Sequence, residues 1–140
     1  MAIKIMCAKN SGEHKNCFDI QKKVFAKEQG IPEKLVVDDK SPFSTYVYAL
    51  VDKKKIGAAR YRKTKTGFKL ERFAVLKKYR NKGVGKLLVR FIEQQIGCNK
   101  KIYLHAQETV VGFYSAVGYQ KVGDKFSEAG IPHWKMIKIW

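Results

Sequence analysis

Arg80-Asn81-Lys82-Gly83-Val84-Gly85 lies between an apolar, strand-like run ending at Val75 and a helix-patterned run starting at Val84. Two glycines let a backbone approach a ligand with no Cβ in the way, and a helix opening there aims unpaired N–H groups at the same point. The segment therefore reads as a cradle for an anion of pyrophosphate type. Val84, Leu87, Leu88, Phe91, Ile92 and Ile96 recur at i, i+3, i+4 and i+7, giving an amphipathic helix of about four turns that Gly97 ends. A dinucleotide fold needs a third glycine at position 88, where Leu88 stands, and a P-loop needs Ser or Thr at position 87 and Gly at 80, where Leu87 and Arg80 stand. Both are excluded.

Upstream of the cradle, Ala2–Ala8 alternates as a first strand, and Asn10 followed by Glu13 resembles a capping box. Cys17, Ile20 and Val24 share one face of the helix this opens, which runs to about Glu28 before Gly30-Ile31-Pro32 stops it. A loop with Asp38, Asp39 and Pro42 follows. Thr45–Val51 is apolar on both faces, as in a central strand, and pairs with Lys55–Arg62 across a turn holding the Lys53-Lys54-Lys55 run. Phe68–Val75 is the next strand. Downstream come a strand at Lys101–Ala106, a short helix at Thr109–Val117, a turn at Gly118-Tyr119 into a further strand, and a closing strand at His133–Trp140. The order β-α-β-β-β-α-β-α-β-β gives an antiparallel meander followed by one βαβ crossover, an α+β fold with a mixed, mostly antiparallel sheet flanked by helices.

The 140 residues fit one domain, 1–140, with 45% hydrophobic residues and no repeat or low-complexity stretch. No apolar run approaches the roughly 20 residues that span a bilayer, and the first residues lack the apolar core of a signal peptide, so a cytoplasmic protein without membrane partners is expected. Cys7, Cys17 and Cys98 have neither disulfide nor zinc spacing, and no metal site is expected. The formal charge of +17 favours anionic partners. Of the 29 basic residues, 24 are lysines spread along the whole chain, whereas nucleic-acid readers concentrate theirs on one face and favour Arg, so nucleic acid is not the expected partner.

Arg80-x-x-Gly83-x-Gly85 after the strand Leu70–Val75 is similar to the coenzyme A signature Arg/Gln-x-x-Gly-x-Gly/Ala of the GNAT superfamily of N-acetyltransferases. Val24-Phe25 to Glu28-Gln29-Gly30, Leu104-His105-Ala106-Gln107, Phe113-Tyr114 with Gly118-Tyr119, and Gly130-Ile131-Pro132-His133 with Met136 match in order. Together they resemble the subgroup of small bacterial-type acetyltransferases that includes ElaA and YjcF. One departure is Ser44-Thr45-Tyr46, where that subgroup has a histidine.

The resemblance implies a GNAT fold, acetyl-coenzyme A as co-substrate, and a small-molecule amine as acceptor. It implies that Phe73, Ala74 and Val75 hold the pantetheine arm as an added strand, and that Arg80, Asn81, Lys82, Gly83, Val84, Gly85 and Lys86 cradle the pyrophosphate. Gln107, Phe113 and Tyr114 would border the cofactor. Tyr114 would protonate the leaving thiolate, since a phenol with pKa near 10 stays protonated at neutral pH. Glu71, an acidic residue in an otherwise apolar strand, is either salt-bridged or the base that deprotonates the amine. His105 reads as a hydrogen-bonded core histidine. Glu28, Gln29, Arg72 and His133, with Asp38 and Asp39, are substrate-side candidates, and Arg60, Arg62 or Arg72 would suit a phosphate on an acceptor such as glucosamine 6-phosphate. Homodimers are common in the superfamily. The rival class is a basic nucleic-acid or partner-binding protein with a vestigial or regulatory acetyl-coenzyme A site.

Overall fold

The computed structural model describes residues 2–36 and 43–140, so Asp38, Asp39 and Pro42 lie outside the described residues. The elements run β1 (Lys4–Cys7), α1 (Ser11–Lys22), α2 (Glu33–Val36), β2 (Thr45–Val51), β3 (Lys54–Thr64), β4 (Gly67–Val75), α3 (Val84–Ile96), β5 (Ile102–Gln107), α4 (Val111–Ala116), β6 (Tyr119–Glu128) and β7 (Ile131–Lys138). One seven-stranded sheet takes them in the order β1-β2-β3-β4-β5-β7-β6. All neighbours are antiparallel except β4 and β5, which α3 joins by a crossover.

Asn10 caps α1, its side chain accepting the Glu13 N–H at 2.8 Å. The return bond of the box lands one residue early, on the Lys9 N–H at 2.7 Å. Cys17, Ile20 and Val24 are buried as one face, but the helix widens beyond Lys22 into a π-type turn over Lys23–Glu28, with the Gln29 N–H reaching the Val24 carbonyl. Gly30, at φ +71°, then ends it, and Ile31 N–H bonds back to the Phe25 carbonyl. Where a loop was expected after Pro32, one helical turn, α2, forms first.

Strand alternation divides β2 between two cores. Tyr46 and Tyr48 join Cys17, Ile20, Val24 and Phe25 under α1, while Val47, Ala49 and Val51 join Val84, Leu88, Val89 and Ile92 of α3 on the other face. The closing strand starts at Ile131, two residues before the expected His133, because Ala129 and Gly130 turn the β6–β7 hairpin at positive φ.

Candidate functional site

β4 and β5 share a ladder only at Phe68–Ile102, Lys69–Tyr103 and Leu70–Leu104. Beyond that point β4 stays with β3 as far as Val75–Gly57, and β5 stays with β7 as far as Gln107–His133. The two strands therefore part, leaving an opening between Glu71–Val75 and His105–Gln107. A bulge sits at its start. Glu71 faces Arg60 and Ala74 faces Ala58, so the single residue Ala59 opposes both Arg72 and Phe73. Arg72 holds φ +61°, and its carbonyl is fixed by the buried Gln21 amide at 2.8 Å.

Leu76 N–H bonds the Ile56 carbonyl, so Ala74 also turns its backbone toward β3, while Phe73 and Val75 turn theirs to the opening. The Val75 carbonyl there accepts Arg80 Nε at 2.8 Å. Arg80 Nη2 also donates to Glu28 at 2.8 Å, and Gln107 donates to Gln29 at 3.0 Å, tying the end of the first helical segment to the strands on either side of the opening.

The glycine loop closes the same end. Asn81 and Gly83 take positive φ, +62° and +83°, and α3 starts with no capping side chain, leaving the N–H groups of Val84, Gly85 and Lys86 without intrahelical partners. Lys82 and Lys86 are exposed beside them and form no ion pair among the described residues. The two glycines are needed for different reasons. A Cβ on Gly83 would meet nothing within 4 Å, so its constraint is conformational; one on Gly85 would stand 3.0 Å from Phe113 Cζ, so its constraint is steric. Phe113 thus lies partly exposed against the loop rather than in the core.

Tyr114 is buried, edge-on to Phe73 at 5.9 Å and to Phe113 at 4.9 Å. Burial raises its pKa above the usual phenol value. Its hydroxyl makes no hydrogen bond to another described residue, and every fully enclosed polar side-chain atom among them is satisfied, so this oxygen borders open space.

Glu71 is salt-bridged. Arg60 Nε donates to it at 3.1 Å, Arg62 Nε at 3.0 Å and Lys69 Nζ at 3.2 Å. Burial alone would raise its pKa, but the Arg62 hydrogen bond and the three cationic charges outweigh that and hold it below the ordinary carboxylate value. Tyr46 accepts a bond from Arg60 Nη1 at 3.2 Å. His133 is buried, its Nδ1 donating to the Ile131 carbonyl at 2.7 Å and its ring stacked on Phe126. His105 bonds Glu128 at 3.1 Å and is partly exposed, so it is hydrogen-bonded without being fully core. The opening thus gathers Glu28, Gln29, Phe73, Val75, Arg80 and Gln107 at one end, and Glu71 lies on β4 where the strands part. Sequence reasoning missed Gln21 and Lys69; the cation-rich alternation Arg60, Arg62 and then Lys69, Glu71 was the available signal for the second.

Residues 12–140 match the family described as Acetyltransferase (GNAT) domain. The chain belongs to the GNAT acetyltransferase family. The uncharacterized N-acetyltransferase YjcF of Bacillus subtilis (strain 168) is 36% identical over 140 residues, covering 97% of this chain and 99% of its own. Escherichia coli ElaA superposes with a TM-score of 0.84 at 20% identity, over 99% of this chain and 100% of its own. An aminoglycoside 6'-N-acetyltransferase solved with coenzyme A gives 0.74 at 19%, over 99% and 96%. The GNAT fold binds acyl-coenzyme A, and this chain is accordingly an acetyltransferase. No helix among the described residues is long and apolar enough to cross a membrane.

Proposed function

We propose that this chain moves the acetyl group of acetyl-coenzyme A to a primary amine of a small molecule by direct attack in a ternary complex. The observation that carries this is the opening between β4 and β5, with the Phe73 and Val75 backbone turned into it and the uncapped end of α3 beside it. Acetyl-coenzyme A supplies a thioester whose carbonyl carbon takes the amine and whose sulfur leaves.

The chain's own groups divide the remaining work. Phe73 and Val75 offer a strand edge to an extended amide-bearing arm, Arg80 giving up the Val75 carbonyl in exchange. The N–H groups of Val84, Gly85 and Lys86, with Lys82 and Lys86, hold the pyrophosphate. Tyr114, kept protonated by burial, donates its hydroxyl proton to the departing thiolate. Glu71 is a weakened base because three cations stabilise its ionised form, so the ammonium proton leaves through water, with Glu71 orienting it. Arg72, set at the bulge, and His133, paired with Gln107, border the acceptor. The acceptor we favour carries an anion as well as an amine, as glucosamine 6-phosphate does, because the sheet face around Glu71 is rich in cations.

The test is release of coenzyme A thiol across glucosamine 6-phosphate, glucosamine, spermidine, an aminoglycoside and a lysine peptide. Turnover of one amine class names the acceptor. Acetyl-coenzyme A binding with no turnover of any amine, together with salt-sensitive retention of nucleic acid, would overturn the enzymatic reading.

A further inference from the structure

Arg62 on β3 and Lys69 on β4 are direct cross-strand partners, an arrangement in which like charges repel. Both are largely out of solvent, their side chains 17% and 12% exposed, and both reach the carboxylate of Glu71, itself 11% exposed. Arg60 reaches it too, but even with Arg60 left out of the count, two cations share one carboxylate. Lys69 pairs across the parallel ladder with Tyr103, on which Lys135 Nζ sits 5.0 Å from the ring centroid. Arg62 and Lys69 both act electrostatically on the Tyr103 hydroxyl, which lies 2.8 Å from Thr64 Oγ1. The other carboxylate near Lys69, Glu128, is engaged by His105 and faces His133 at 3.6 Å. Around Tyr103 the row therefore holds three cations, Arg62, Lys69 and Lys135, against the two carboxylates of Glu71 and the half-exposed Glu128. Positive charge withdrawn from water without a full complement of carboxylates is costly unless an anion completes it.

The geometry points to Arg62 and Lys69, with Tyr103 beside them, as a subsite for an oxyanion, the phosphate or carboxylate tail of the acceptor. Assigning the anion to the acceptor rests on the acetyl-transfer reading above; the anion site itself stands on the charge count alone. Both cations reach Glu71, two residues before Phe73 and just ahead of the bulge, so an anion they hold lies close along β4 to the backbone proposed to hold the arm. That proximity suits an amine and an anion carried on one sugar-sized scaffold. Glu71 occupies the same cations in the absence of ligand, so it competes with the anion.

Inorganic phosphate is titrated into the full chain, with and without coenzyme A, while the Arg62 Nε–H and the Gly85 amide are followed by NMR. The Arg62 signal is expected to move, and still to move when coenzyme A saturates the glycine loop. Lys69→Met should weaken phosphate about tenfold, the factor for one charge-assisted hydrogen bond. Glu71→Gln should tighten it, a direction that loss of folding cannot produce. In turnover, Lys69→Met should raise KM for glucosamine 6-phosphate about tenfold and that for glucosamine less than twofold. Acetate in place of phosphate separates a carboxylate tail from a phosphoryl one. Phosphate that moves only the Gly85 amide, or equal KM changes for both sugars, overturns the subsite. If coenzyme A fails to bind while the Arg62 shift persists, the acetyl-transfer reading falls and the anion site remains.

Discussion

Gly83→Ala separates what the glycine loop contributes to folding from what it contributes to binding. Gly83 sits at φ +83° and ψ +7°, in the left-handed region, where an L side chain costs about 1–2 kcal/mol. The new methyl meets no atom within 4 Å, so no clash adds to that strain. Unfolding entropy of about 2.1 cal/mol/K per residue over 140 residues is about 0.3 kcal/mol/K, so the expected fall in Tm is about 3–7 °C. Coenzyme A affinity should fall further, by at least about tenfold, because the methyl enters the space a pyrophosphate would use. Urea denaturation and calorimetric titration of coenzyme A read the two effects independently. A folded Gly83→Ala protein with wild-type affinity for coenzyme A would show that no phosphate approaches this backbone. Gly85→Ala is the steric counterpart: it carries no backbone strain, and its methyl presses at 3.0 Å on the partly exposed Phe113 ring beside the loop, so stability should change little while coenzyme A affinity falls.

Tyr114→Phe should lower kcat about a hundredfold yet leave stability within about 0.5 kcal/mol, since the lost hydroxyl bonds no described residue; a stopped-assay rate beside a denaturation curve checks both. Glu71 has a folded pKa below its unfolded value, so its stabilisation is complete above the ordinary carboxylate range and is lost as pH falls through the lowered folded value. Glu71→Gln should flatten the acid limb of a stability-versus-pH curve, and an unchanged limb refutes the ion-pair account. Burial pushes the Cys17 thiol up to about 12, whereas Cys98 is exposed, so a maleimide at neutral pH should label Cys98 in the native protein and spare Cys17 until it unfolds. Asp52 and Lys53 turn the β2–β3 hairpin at φ +49° and +66°, so Lys53→Gly should stabilise by about 0.5–1 kcal/mol, read as a higher Tm.

Local pattern made most of the fold legible. The bounds of β2 and α3 follow from unbroken apolar runs closed by residues that cannot continue them: Asp52-Lys53 after β2, Gly97 at φ +105° after α3. The glycine loop was legible because two glycines at the head of such a helix have one common physical use. The π-type turn was not, since it shifts hydrogen bonds by one residue while leaving Cys17, Ile20 and Val24 on one face. Nor could periodicity tell whether Glu71 was paired or free: the answer depends on Arg60, Arg62 and Lys69 arriving from positions up to 11 residues away. Glu93 was hidden for the same reason. It lies on the helix that reads most clearly, yet it is buried because Tyr119 and Lys138 meet it from the distant β6–β7 end of the chain.

The bulge in β4 ties these long-range features into one site. Before it, Lys69 and Leu70 take their places in an ordinary ladder with β5; after it, Phe73 and Val75 turn backbone groups toward a gap that no strand fills. Glu71 lies at the boundary, and its alternation with Lys69 puts both on the face that carries Arg60, Arg62 and Tyr103. The positive φ of Arg72 costs about 1–3 kcal/mol, and from outside the sheet the buried Gln21 amide donates to the Arg72 carbonyl at 2.8 Å. A residue on α1 therefore helps hold the bulge at which β4 and β5 part. Gln21→Leu keeps the volume and removes the bond, so it should loosen the bulge and weaken coenzyme A binding although position 21 touches neither the glycine loop nor Tyr114.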